Sequence, residues 1–237
     1  SFGTPLDLQI TEPSKVTWTA EGLQVDAPTV IQSTTNATKI TNAVKASNQF
    51  TLEAWIDPKE LAPTAQGRIM SIAGNSNNWN VAFGQGVYNG WATDVYRCGG
   101  GATSTNQPFV TTSVPNADLT HVVITRQTDG QQAIFVNGVQ QYSVLAAGNL
   151  SNWQDYPMFL ANESGMNRPW QGSYRLVVFQ DRALTAAEVS QNYLAGSITN
   201  ARPSVDVGPD RTVEIGTPVT ITASVTDDGL PDPPAAL

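Results

Sequence analysis

The amino-acid sequence predicts an all-β fold, an antiparallel sandwich or barrel of many short strands with one short helix. Three observations carry that prediction. Apolar and polar residues alternate with period two in segment after segment, as strands with one buried face require. Asp129-Gly130 and Asn137-Gly138 each separate two such runs. Both dipeptides are strong hairpin signals, because the central residues of a type I′ turn need positive φ. A convincing helix signal occurs in one place, near the end of the main block of strands.

The clearest strand is FTLEAWID, which places Phe50, Leu52, Ala54 and Ile56 on one face and Thr51, Glu53, Trp55 and Asp57 on the other. Pro58 ends it. RIMSIAG and NWNVAFGQG follow, the latter with Trp79, Val81 and Phe83 on a shared face, and Trp79 is assigned to the core. WATDVYR comes next, then a Gly-, Thr- and Asn-rich loop from Gly99 to about Asn116. HVVITRQTDGQQAIFVNGVQQYSV reads as a β-meander with strands at His121–Gln127, Gln132–Val136 and Val139–Val144. YPMFLAN and YRLVVFQ are two further strands.

The helix is LTAAEVSQNYLAG. Thr185 is its N-cap, Glu188 completes a capping box, and Gly196 is placed to stop it. Leu184, Val189, Tyr193 and Leu194 form its apolar face. A boundary is expected at 198–203, between a sandwich over 1–197 and a second sheet domain over 204–237. In that last segment Val219, Ile221, Ala223 and Val225 alternate with Thr220, Thr222, Ser224 and Thr226. Its length falls far short of the ~100 residues a complete sandwich needs, so a truncated second domain is expected.

The chain has 237 residues, which suits one sandwich of about 200 residues and a remnant. Charged residues make up 14%, against about a quarter in an average domain. Asn, Gln, Ser and Thr fill the difference, as in GNSNNWN, a surface common on extracellular β domains. A net charge of −8 repels phosphate backbones, which argues against nucleic acid. No apolar run approaches the roughly 20 residues of a membrane-spanning helix. The opening SFGTPLDL is not a signal peptide, so either a signal has been removed or the chain is a piece of a longer one. Cys98 stands alone and cannot form an internal disulfide; it is expected as a small residue at a strand end.

Four stretches in order, FTLEAWIDP, HVVITRQTDGQQAIFVNGVQQ, LSNWQDYPMFLANESGMNRPWQGSYRLVVFQDRAL and LTAAEVSQNYLAG, resemble the laminin-G-like jelly-roll family within the concanavalin-A-like lectin/glucanase superfamily. The resemblance covers about residues 15–196. It implies two packed antiparallel sheets in a jelly-roll arrangement, with binding or adhesion more often than catalysis. VDVGPDRTVEIGTPVTITASVTDDGLP resembles the start of the immunoglobulin-like or PKD-type repeats of bacterial surface proteins, which implies further such domains as neighbours. One departure concerns the strand after NWNVAFGQG: Asp94 and Tyr96 stand where the family version carries Arg.

The superfamily includes glucanases, which need two carboxylates flanking one bond. Glu53 and Asp57 share a face but lie four residues apart, roughly 13 Å along a strand. That is too far for either hydrolytic geometry, and a solvated strand face is the expected reading. His121 and Arg126 could suggest a lyase, but their odd spacing puts them on opposite faces. No catalytic residue is therefore assigned. In the loop NESGMNRPW, Asn162 and Glu163 are possible oxygen ligands for calcium, although calcium takes six or more. The competing reading pairs Glu163 with Arg168 and lets Trp170 cover the core edge. Trp55, Trp91, Tyr88, Tyr96 and Trp153 could stack on sugar rings. The ligand-surface candidates are Trp91, Asp94, Tyr96, Trp55 and Arg168.

These observations favour a non-catalytic extracellular or cell-surface module that binds a glycan. The alternative is a structural or adhesion domain with a protein partner on the surface, and the second alternative is a polysaccharide-degrading enzyme of the same superfamily. No cofactor is required.

Overall fold

A computed structural model describes residues 5–60, 66–75, 77–86, 96–100, 110–111, 119–196 and 204–209, residues 212, 216 and 220, and residues 222–226. The chain divides into two compact units, Ser1–Leu194 and Ala195–Leu237. The strands run in chain order as β1 (Leu8–Ile10), β2 (Val16–Thr19), β3 (Gly22–Val25) and β4 (Ile31–Asn36). Helix α1 (Thr38–Ser47) precedes β5 (Phe50–Pro58), β6 (Gly67–Ala73) and β7 (Trp79–Gln85). Then come β8 (Tyr96–Gly100), β9 (Val110–Thr111), β10 (Thr120–Arg126), β11 (Gln131–Val136) and β12 (Val139–Leu145). β13 (Pro157–Leu160), β14 (Gly172–Gln180) and helix α2 (Ala186–Ala195) follow, then β15 (Ser204–Asp206) and β16 (Ser224–Thr226).

The first unit is a sandwich of two antiparallel sheets. Among the described residues, one has the order β1-β4-β13-β6-β7-β8-β9 and the other β12-β11-β10-β5-β14-β3-β2. The alternation in FTLEAWID places its apolar set as expected: Phe50, Leu52, Ala54 and Ile56 lie in the core between the sheets. Val122, Ile124 and Ile134 join them from the same sheet, and Met70, Ile72, Val81, Phe83 and Leu160 face them from the other. Each of these side chains larger than Ala54 contributes roughly 1.5–3 kcal/mol on burial. Tyr174 ties the layers together, its hydroxyl donating to Ile69 O (2.7 Å) and accepting from Ala161 N–H (2.9 Å).

The two turns of the meander differ. Asn137 and Gly138 both have positive φ, 52° and 76°, and join β11 to β12 as the expected two-residue turn. The other loop is longer, Gln127–Gly130, closed by Gly130 N–H to Gln127 O (3.0 Å), and Gly130 has positive φ there whereas Asp129 does not. The capping box is present: Thr185 N–H donates to Glu188 Oε2 (2.7 Å) and Glu188 N–H to Thr185 Oγ1 (3.2 Å). Gly196 follows with φ 82°. Leu184 and Val189 are buried with Val123, Ala133 and Phe135, but Leu194 is 80% exposed and does not belong to that face.

Several expectations need correction. A second helix, α1, was not foreseen; Thr41 and Val44 are its buried residues, and Asn48 ends it with φ 57°. The segment taken as one loop from Gly99 contains the end of β8 and the whole of β9. Cys98 sits mid-strand, opposite Phe83 and Val110, rather than at a strand end. Trp79 is half-buried and stands outside the core cluster. No helix among the described residues is long and apolar enough to cross a membrane.

In the second unit β15 pairs with β16 through Val205 and Val225, both exposed. The expected linker 198–203, and Val219 and Ile221 of the expected alternation, lie outside the described residues.

Candidate functional site

The face of β5 expected to be solvated is covered. α2 lies over it, and Glu53, Trp55 and His121 are buried beneath. Glu53 Oε1 is 2.8 Å from His121 Nε2, and Asn192 Nδ2 of α2 donates to both carboxylate oxygens (3.2 and 3.0 Å). Trp55 stacks on His121 with ring centres 4.6 Å apart and on Tyr193 at 5.9 Å. Trp55, a candidate for stacking on sugar, is only 5% exposed; it holds the helix down instead. The carboxylate of Glu53 is consumed by the same task. Arg126 lies on the opposite face of β10 and donates to the carbonyls of Asn48 (3.4 Å), Gln127 (3.1 Å), Ala146 (3.1 Å) and Gly148 (2.9 Å). Burial lowers its pKa from the ordinary arginine value, against the opposing pull of Asp129. His121 and Arg126 do not converge.

The NESG loop is an ion-pair cage. Glu163 is fully buried, with Oε2 3.3 Å from Arg68 Nη2 and Oε1 3.6 Å from Arg168 Nε. Asn162 Oδ1 accepts the backbone N–H groups of Glu163 and Arg168, both at 3.0 Å. Trp170 covers the core edge, and its indole N–H donates to Gln85 Oε1 (2.8 Å). Arg168, a ligand candidate, donates through Nη1 to Gln66 Oε1 (3.0 Å) and keeps 31% of its side chain exposed. This donor set does not fit calcium. Two guanidiniums already neutralise Glu163, the Asn162 oxygen is taken by backbone, and a dication would meet like charge. Among the described residues no group of three or more His, Cys, Asp or Glu could hold a metal.

A third place has a different character. The turn after β6 and the segment before β13 form the two banks of a groove of about 210 Å³. Asn77, Asn78 and Trp79 line one bank and Asn152, Gln154 and Tyr156 the other. Both banks are pinned. Asn75 Oδ1 accepts the backbone N–H groups of Asn77 (2.9 Å) and Asn78 (3.0 Å), which shapes the turn. Asn80, buried at the floor, donates to Gln154 O (2.7 Å) and accepts from Gln154 N–H (2.9 Å). Gly74 is required where it stands, because a Cβ there would lie 2.8 Å from Tyr156 Cε1. Among the described residues, the groove thus has two half-buried aromatic rings, several amides and no charged lining residue.

Of the other candidates, Trp91, Asp94 and Tyr88 lie outside the described residues, and Tyr96 is placed only as the first residue of β8. Trp153 belongs to the core. Sequence reasoning passed over the groove. The run of asparagines around Trp79 was a visible signal, but its partners lie some seventy residues further on.

Solved structures share this fold. Botulinum neurotoxin type C, whose cell entry depends on interaction with two ganglioside molecules, matches with a TM-score of 0.60 at 11% identity over 82% of this chain and 47% of that one. The binding domain of botulinum neurotoxin DC in complex with rat synaptotagmin II matches with a TM-score of 0.57 at 12% identity, covering 80% of this chain and 46% of that one. Domain 4 of AbnA, a GH43 extracellular arabinanase from Geobacillus stearothermophilus, in complex with arabinotriose, gives a TM-score of 0.51 at 16% identity over 74% and 79% of the two chains. The chain spans about half the length of the neurotoxin structures it matches. No curated protein matches its sequence. The family model described as the concanavalin A-like lectin/glucanases superfamily matches residues 32–190. That is well over half of the chain, which therefore belongs to this superfamily.

Proposed function

We propose that this chain is a non-catalytic carbohydrate-binding module that works outside the cell as part of a larger protein. The observation that carries the reading is the groove beside Trp79, where aromatic rings and uncharged amides meet with no charged residue among the described lining. Sugars present hydroxyl groups around a ring with apolar C–H faces, and such walls complement both. The arabinanase domain in complex with arabinotriose and the neurotoxin whose cell entry depends on interaction with two ganglioside molecules support the reading. The extracellular setting is supported by the arabinanase and by the polar, acidic surface. A structure matched over 46% of its length is a complex with rat synaptotagmin II, but an amide-lined groove suits hydroxyl groups better than an apolar protein anchor. A non-catalytic role accords with Glu53 being buried against His121 and Asn192. Screening the purified chain on a glycan microarray tests the proposal. Retention of at least one saccharide class is expected; a blank array across neutral and acidic glycans would sink it.

A further inference from the structure

We infer that the groove between Asn77 and Tyr156 binds a single neutral sugar residue; the inference rests on the carbohydrate-binding reading above and assigns its site and ligand class. Charge comes first. Among the described residues, no Asp, Glu, Lys, Arg or His lines the groove. A uronate, sialate or sulfate placed there would lose water without gaining a cation. The acidic residue of the second bank, Asp155, turns away to accept a hydrogen bond from Thr38 Oγ1 (2.9 Å). It adds negative potential next to the site, as does the net charge of −8.

Size comes second. The groove holds about 210 Å³, below the roughly 300–1,000 Å³ of pockets that enclose drug-sized ligands. A groove of that size suits one ring as its main contact.

The third argument is what the walls still offer. Asn80 is spent on Gln154, and Asn78 Nδ2 is spent on Asn75 Oδ1 (3.2 Å). The side-chain amide of Asn77, Oδ1 of Asn78 and the hydroxyl of Tyr156 make no hydrogen bond to any described residue, and Asn77 and Asn78 are exposed. An amide offers a donor and an acceptor side by side, the pattern that neighbouring hydroxyls on one ring satisfy. Trp79, half-buried at the same place, supplies the apolar surface for the ring's C–H face. Because both banks are already pinned by hydrogen bonds, little conformational freedom is lost on binding.

Titration of the whole chain with neutral hexoses and pentoses, their linear tri- and tetrasaccharides, galacturonate and a sulfated oligosaccharide decides the matter, read by ligand-observed NMR. One neutral sugar should bind, with its tetrasaccharide no more than about threefold tighter, because one ring fills the site. Asn77→Ala, on an exposed side chain, should weaken it by about tenfold with unchanged thermal stability. Trp79→Ala should remove it. Wild-type binding that survives both substitutions overturns this site and leaves the carbohydrate-binding reading standing. Binding of the acidic ligands alone, or affinity that climbs with each added residue, overturns the ligand class assigned here. A wild-type chain that binds no saccharide overturns both.

Discussion

Asn80, at the start of β7, and Gln154, in the segment before β13, are bonded reciprocally although more than seventy residues apart: the amide of Asn80 donates to Gln154 O at 2.7 Å, and Gln154 N–H donates back to Asn80 Oδ1 at 2.9 Å. The pair fixes the floor of the groove. Asn80→Ala leaves a backbone N–H and a carbonyl without partners near a buried position, which costs about 1–3 kcal/mol. Urea unfolding should show that loss, and saccharide binding should weaken alongside it.

The caged carboxylate gives a second test. Glu163→Ala removes the carboxylate that faces Arg68 and, in part, Arg168, and Arg68 is buried. Removing one partner of a buried ion pair typically costs about 3–5 kcal/mol. The variant should therefore unfold at markedly lower denaturant. Calcium added to the wild type, or EDTA, should leave the melting midpoint where it is; a rise with calcium would point to ligands other than those of this loop.

Tyr174 makes the protein alkali-sensitive. Burial pushes its phenol well above the ordinary tyrosine range, outweighing the hydrogen bond from Ala161 N–H, which pulls the other way. A pKa raised in the folded state stabilises fully below the unfolded value, near 10, and that contribution is lost as pH rises towards the folded value. Ultraviolet titration should show one phenol ionising only as the fold opens. Tyr174→Phe removes that signal and costs about 0.5–1.5 kcal/mol, because the two phenol hydrogen bonds are lost while Ala161 N–H keeps its longer bond to Ile69 O (3.2 Å).

At the other end of the pH scale the α2 cap is the sensitive element. The Thr185 backbone N–H, then Arg182 and the Thr185 hydroxyl, hold the Glu188 carboxyl below the usual glutamate range. A depressed pKa stabilises above the unfolded value of about 4.3 and is lost as pH falls through the lower folded one. Thr185→Ala should cost about 0.5–2 kcal/mol at neutral pH. The part of that difference carried by the Thr185 hydroxyl's hydrogen bond to the Glu188 carboxylate should shrink as pH falls below about 4.3 and through the lower folded pKa, where Glu188 becomes neutral in both. Circular dichroism melts at neutral and acid pH measure it.

How far the sequence could be read follows from which forces are local. The inner faces of β5 and β7 were legible because a strand buried between sheets must put every second residue inward, and Phe50, Leu52, Val81 and Phe83 do so. Asn137-Gly138 was legible because its backbone demands positive φ at both positions. The outer face of β5 was not: alternation shows that two faces differ, not that a helix from residue 186 onward will cover the second. Glu53 and Trp55 therefore read as a solvated carboxylate and a surface ring, and both are buried by α2. α1 escaped because Ala37 offers no side-chain cap and only Thr41 and Val44 are buried; the spacing of Ile40 and Val44, with Asn48 beyond, was the remaining clue. The groove was hidden for a third reason. Its banks come from two loops, and their meeting depends on β6, β7 and β13 sharing one sheet.

The most direct test of the carbohydrate-binding claim is amide chemical-shift mapping on the isotopically labelled chain, titrated with a neutral saccharide that it retains. The expected result is a saturable set of shifts confined to Gly74–Asn80 and Ser151–Tyr156, with the indole signal of Trp79 among them. A spectrum that no saccharide moves, or shifts that gather on another surface, would contradict the groove as the seat of function.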